Sequence, residues 1–173
     1  GGLCGSEFRG EIDGCHATGN VVGDWMVGGL CGSSQGASNC YATGTVDGNQ
    51  ALGGLCGFDD GVISSCYATG AVSGVDFGYF LGGLCGDKSG GEIVDSYASG
   101  AVTGVDFSSR IGGLCGRNND AATIRTSYAT GAVSAGVLSY YLGGFCGRNL
   151  SGADGTSPST IHDCYARGSV TGG

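Results

Sequence analysis

Ten of the 173 residues are cysteines, and their spacing is regular. Six stand in the phrase Gly-Gly-Leu-Cys-Gly or a near copy of it: Cys4, Cys31, Cys56, Cys85, Cys115 and Cys146. The other four, Cys15, Cys40, Cys66 and Cys164, open a second phrase. A cysteine can ligate a metal, attack an electrophile or form a disulfide, and its neighbours decide which. No Cys-x-x-Cys pair occurs and only two histidines are present, His16 and His162, so a zinc set has no basis. Cys15-His16 and His162-Asp163-Cys164 put imidazole beside sulfur, but a disulfide next to a surface histidine accounts for both. No catalytic, metal or cofactor site is read here, and the chain is expected not to be an enzyme. An even number of repeat-locked cysteines points to disulfides and to an oxidising setting, extracellular or at the cell surface.

The elements that position these cysteines are repeats. Gly-Gly-Leu-Cys-Gly begins at positions 1, 28, 53, 82, 112 and 143, with Phe145 for Leu in the last copy. An apolar residue precedes it in five copies: Val27, Leu52, Leu81, Ile111 and Leu142. The second phrase is anchored at Cys15, Cys40, Cys66, Ser96, Ser127 and Cys164. Three residues earlier stands Ile12, Ala37, Ile63, Ile93, Ile124 or Ile161, and Ala, Gly and Val follow at +2, +4 and +6 in every copy. A strand alternates its side chains. One face therefore carries Cys or Ser, Ala, Gly and Val, which is read as inward. The other carries Tyr and Thr, read as outward. Ile at −3 has the wrong parity, so a bend is expected between it and the anchor. Leu52 and Cys56 share a parity that Leu55 lacks unless the Gly-Gly pair bends the chain.

A period of 25 to 31 residues with small inward residues and glycine corners predicts an all-β chain wound as a parallel β-solenoid. Six coils are expected, at about residues 1–27, 28–52, 53–81, 82–111, 112–142 and 143–173, in a single domain. Variable loops are expected after Gly-Leu-Cys-Gly, as in Arg117–Thr123 and Arg148–Thr160, and before Gly-Gly, as in Val75–Phe80 and Val105–Arg110. Thin glycine-rich coils make a poor hydrophobic core, which cross-links would remedy. Staples within coils give Cys4–Cys15, Cys31–Cys40, Cys56–Cys66 and Cys146–Cys164, leaving Cys85–Cys115 to join adjacent coils. At a strand spacing of ~4.8 Å that last pair is within disulfide reach, about 4.4–6.8 Å between Cα atoms. A rival scheme pairs Cys15–Cys31, Cys40–Cys56, Cys66–Cys85 and Cys115–Cys146, freeing Cys4 and Cys164 to link one subunit to the next.

Gly-Leu-x-Gly followed by Tyr-Ala-Thr-Gly-x-Val-x-Gly resembles the GLUG-motif repeats of secreted and cell-surface bacterial proteins. These include adhesin-like proteins and non-catalytic regions of some immunoglobulin A metallopeptidases. The resemblance covers all six repeats. The family usually has an ordinary apolar residue where the six Gly-Leu-Cys-Gly cysteines stand, so it says nothing of cross-linking here. No His-Glu-x-x-His is present, so peptidase activity is not implied.

Formal charge is −8. The seven bases, Arg9, Lys88, Arg110, Arg117, Arg125, Arg148 and Arg167, are expected in the loops without clustering, which argues against nucleic acid. No apolar run approaches the ~20 residues of a membrane helix. The chain opens on Gly rather than Met and is read as a processed or excised segment. Asp59-Asp60 lacks any calcium-loop pattern and is read as solvated loop acid. Thr18, Thr43, Thr69, Ser99 and Thr130 form an outward row that Arg167 interrupts, which argues against a flat ice-binding array. Tyr41, Tyr67, Tyr97, Tyr128 and Tyr165 are expected to form a ladder that stabilises the sheet and offers an aromatic stripe. The expected role is a structural rod, filament or stalk that self-associates head to tail. The alternative is a surface adhesin or binding module that meets a glycan or protein through its loops or its Tyr/Thr face.

Overall fold

The computed structural model describes residues 1–152 and 155–173; Ala153 and Asp154, in the loop expected over Arg148–Thr160, lie outside the described residues. The described chain is all-β, with no helix, and winds as a parallel β-solenoid. Each turn crosses three sheets. The first begins at the Gly-Leu-Cys-Gly cysteine (Cys31–Ser38, Cys56–Ser64, Cys85–Ser89). The second is a two-residue Tyr-Ala strand (Tyr41–Ala42, Tyr67–Ala68, Tyr97–Ala98). The third returns through the Val phrase to Gly-Gly (Val46–Gly53, Val72–Gly82). Successive turns pair in parallel with equivalent residues opposite one another. Cys56 pairs Cys85, Tyr67 pairs Tyr97, and Leu52 pairs Leu81. The winding amounts to about five turns rather than the six coils expected. The strands Tyr165–Ala166 and Val170–Gly172 lie on a sixth layer that has no return strand before a further Gly-Gly.

Two corners resolve the parity conflicts. The residue before the Cys/Ser anchor adopts a left-handed backbone in every turn. It is Gly14 in the first, then Asn39, Ser65, Asp95, Thr126 and Asp163 with φ from 45° to 54°. That reversal turns Ile12, Ile63, Ile93 and Ile124 inward beside the anchors. A second left-handed residue precedes the apolar position ahead of Gly-Gly: Met26, Ala51, Phe80, Arg110 and Tyr141, with φ from 49° to 60°. The Gly-Gly bend then lets Leu52 and Leu55 both be buried, in two different clusters. Leu52, Leu81 and Ile111 pack with Val46, Val72 and Val102. Leu55, Leu84 and Leu114 pack with the cysteines, the isoleucines and Ala42, Ala68 and Ala98.

Not every variable segment is a loop. Val75–Phe80 lies within the strand Val72–Gly82, whereas 104–108 separates two shorter strands, Val102–Thr103 and Ser109–Gly112.

Glycine at +4 is required by the turn beneath it. A Cβ on Gly44 would lie 2.0 Å from the carbonyl oxygen of Gly19, while a Cβ on Gly19 itself would meet nothing within 4 Å. The two glycines hold the same place in the repeat and differ only in having a turn stacked against that side. Gly44→Ala is therefore expected to destabilise the fold by about 1–3 kcal/mol or more. Gly19→Ala should stay within about 0.5 kcal/mol. Urea unfolding followed by circular dichroism measures both, and equal losses would contradict the stacking.

Candidate functional site: the buried columns and the aromatic face

In-register winding turns each repeat position into a column. The Gly-Leu-Cys-Gly cysteines form one: Cys4, Cys31, Cys56, Cys85, Cys115 and Cys146 are consecutive partners. The anchors form another, Cys15, Cys40, Cys66, Ser96, Ser127 and Cys164. No two of the ten cysteines stand at disulfide distance in this structure. Geometry gives the reason for Cys85 and Cys115. Registered neighbours on parallel strands stand ~4.8 Å apart, with side chains directed alike, whereas a disulfide draws its Cβ atoms to about 3.5–4.5 Å.

The thiols hydrogen-bond instead. In the anchor column Cys40 Sγ donates to the Ser38 carbonyl at 3.0 Å and Cys66 Sγ to the Ser64 carbonyl at 3.1 Å. Each sulfur also accepts from the turn before. The Cys15 N–H points to Cys40 Sγ, and the Cys40 N–H to Cys66 Sγ, both at 3.3 Å. Ser96 and Ser127 perform both tasks. Their hydroxyls donate to the carbonyls of Val94 and Arg125 at 2.7 Å, and accept the N–H groups of Cys66 and Ser96 at 3.1 and 3.2 Å. Serine cannot form a disulfide, but it can occupy this position, so the interchange in the sequence was a sign of hydrogen bonding. In the first column Cys31 and Cys115 donate to the carbonyls of Ser33 and Arg117 at 2.8 and 3.0 Å. Burial pushes the Cys31 thiol up to about 11 and Cys66 up to about 12, which suppresses the reactive thiolate at neutral pH.

A third column is polar and buried from Ser34 to Asn118. It runs Ser34, Asp59, Lys88, Asn118 and Asn149 in consecutive register. Asp59 and Lys88 are fully buried and form an ion pair. Ser34 Oγ donates to Asp59 Oδ2 at 2.7 Å. The Lys88 ammonium also donates to the Gly61 carbonyl at 2.7 Å. The reading of Asp59 as solvated loop acid, and of Lys88 as a loop base, is thus corrected. Both lie in strands, Cys56–Ser64 and Cys85–Ser89, that run on past Gly-Leu-Cys-Gly. Each tolerates burial because the next turn supplies its opposite charge. Sequence patterning missed the pair because its members are 29 residues apart and look like variable residues.

Outside, His16, Tyr41, Tyr67, Tyr97, Tyr128 and Tyr165 stack in one run. Ring centroids are 4.8 to 5.0 Å apart and the planes within 7° of parallel. Offset parallel rings at this separation attract. The stack presents ring edges and hydroxyls to solvent, with the threonine row alongside. On the opposite sheet Asp87 receives two hydrogen bonds from Arg117, at 2.7 and 2.6 Å. Among the described residues no three His, Cys, Asp or Glu side chains converge as a metal site would need. Among the same residues no helix is long and apolar enough to cross a membrane.

A repeated turn, closed on itself by in-register columns, defines a solenoid repeat protein. The family model described as the GLUG motif matches residues 23–47, 107–134 and 139–171, each taking in one Gly-Gly-x-Cys-Gly phrase and the Tyr-Ala strand after it. Three segments of the chain carry the GLUG motif, consistent with a GLUG repeat protein. No curated protein and no solved structure matches it.

Three predictions come from the columns. Unreduced protein unfolded in guanidinium should titrate all ten thiols with a chromogenic disulfide reagent. Native protein should react quickly only at the four half-buried cysteines, Cys4, Cys15, Cys146 and Cys164. In the same assay series, Cys66→Ser should keep stability within about 1 kcal/mol, while Cys66→Ala leaves buried polar groups unpaired and should cost about 1–3 kcal/mol. For the ion pair, Lys88→Ala should cost about 3–5 kcal/mol by stranding Asp59. The double variant D59N/K88N should regain most of that loss, because Asn118 Nδ2 already donates to Asn149 Oδ1 at 2.8 Å lower in the same column. Chemical denaturation of the two proteins tests this, and equal stability of single and double variants would refute it.

Proposed function

We propose that the chain is a non-enzymatic structural protein, a rigid β-solenoid rod that serves as segment or subunit of a stalk or filament outside the cell or on its surface. The observation that carries this reading is the register. Equivalent repeat positions of successive turns pair across all three sheets, so one more turn, from a continuing chain or a second copy, would extend every column. Six layers at ~4.8 Å give a rod ~29 Å long. In a solenoid each repeat contacts only its neighbours, so length is added without redesigning a core. The extracellular placement rests on the GLUG resemblance.

Head-to-tail stacking of copies is the partner mode that suits this architecture. Parallel in-register pairing is a geometry that a strand of a second copy could continue. The second reading, a binding module for a glycan or protein, is favoured by the tyrosine and threonine rows, which offer a regular outward surface.

Negative-stain microscopy with sedimentation velocity over a concentration series separates the two. Unbranched fibres the width of one rod, or oligomers growing with concentration, support assembly. A short rod that stays monomeric at every concentration removes the filament reading. Turnover in a hydrolase screen that is lost on substituting His16 or His162 would overturn the non-enzymatic reading.

A further inference from the structure

One face of the third sheet carries a pattern the scaffold does not need. In register down the rod stand Trp25, Gln50, Tyr79, Ser109 and Tyr140. Aromatic residues thus occupy the first, third and fifth layers, with small or polar residues between them. Two strand spacings separate consecutive aromatics, about 9.6 Å along the axis. Trp25 is the only tryptophan of the chain and is 66 % exposed, and Tyr140 is 48 % exposed. A tryptophan left this open forgoes a large burial gain, and the inner core already has its apolar lining at the Val27–Leu52–Leu81 column.

At Trp25 the surface is concave. A cavity of about 270 Å³ is lined by Asp24, Trp25, Asn49 and Gln50. The Asp24 carbonyl accepts the N–H groups of Asn49 and Gln50 at 3.2 and 3.0 Å, which fixes the backbone of the cavity across two turns. Asn49 Oδ1 is buried and has no hydrogen-bond partner among the described residues. A buried acceptor without a donor is costly, so a ligand bearing O–H or N–H groups would relieve it. Asp24 adds further acceptors and Gln50 both kinds of group. An aromatic plate rimmed mainly by acceptors fits a ligand with one apolar face and an edge of hydroxyl donors. A pyranose ring is such a molecule: its axial C–H bonds make the face and its equatorial hydroxyls the edge. The carboxylate disfavours phosphate and other anions, and a quaternary ammonium has no proton for Asn49 Oδ1.

We propose that this face binds a linear neutral polysaccharide laid along the rod, with the Trp25 cavity as the primary subsite and Tyr79 and Tyr140 as further ring platforms. The aromatic interval is on the scale of one disaccharide, so every second sugar would meet a ring. The proposal goes beyond the scaffold reading and does not depend on it, because a rod can stand with or without this ligand.

The test uses the whole chain with cellohexaose, chitohexaose and mannohexaose, monitored by the fluorescence of Trp25 and by calorimetry. Saturable binding of at least one hexaose is expected, with a shift in Trp25 emission. Trp25→Ala should weaken it at least tenfold while leaving the unfolding midpoint unchanged, since the side chain is exposed. Tyr79→Ala should weaken the hexaose severalfold and leave the matching disaccharide unaffected, which a merely structural role would not produce. The proposal is overturned if none of the three saturates, if Trp25→Ala retains affinity within twofold, or if tetramethylammonium or a lysine peptide competes as well as the sugar. Particle shape in the microscope is unaffected by any of these outcomes, so the scaffold reading stands or falls separately.

Discussion

Everything in this molecule follows from the spacing of parallel strands. Turns stacked ~4.8 Å apart leave no room for a residue to act alone, because each position meets its own equivalent above and below. Where the backbone comes closest, only glycine is possible, and a Cβ on Gly54 would lie 2.2 Å from the Gly83 carbonyl oxygen. Where side chains stack, like must suit like: tyrosine on tyrosine, valine on valine, alanine on alanine. The copying of the sequence is the chemical record of that requirement.

Cysteine suits this spacing for reasons other than oxidation. It is small, it fills an apolar column, and its thiol reaches a carbonyl two residues away in the same turn while its sulfur accepts from the adjacent turn. Serine does the same at Ser96 and Ser127, with shorter hydrogen bonds. The interior is therefore held by short polar contacts that repeat with the winding, supplementing a core too thin to rely on apolar burial. Asp59 and Lys88 break the rule of like on like, and they do so as a matched pair. Such a pair is stable only in one register, because sliding a turn by one residue would bury two unpaired charges.

Regular stacking also organises the outside. The tyrosine run shows its ring edges, so its aromatic faces are consumed by neighbouring rings and act in holding the sheet together. The Trp25 column differs, since Gln50 and Ser109 separate its aromatic residues. One column thus spends its rings on cohesion, while the other leaves Trp25 and Tyr140 exposed at its two ends.

Much of this was legible in the chain alone. The period, the small inward face, the outward Tyr and Thr, and the need for a bend before each anchor all follow from alternation, which is local. The GLUG motif is local too. What the sequence could not supply was which distant residues share a column once variable segments are counted in. The Asp59–Lys88 pair and the Trp25–Tyr79–Tyr140 series depend on register between turns of unequal length. So does the setting of the cysteines: spacing along the chain suggested disulfides, whereas stacking sets no two sulfurs at bonding distance and turns Cys40 and Cys66 toward a carbonyl and an N–H. The sequence by itself determined that the chain would wind, because one repeated phrase demands one repeated path. Only the tertiary structure decided which side chains meet, because contact across turns is set by where each insertion is absorbed around the coil.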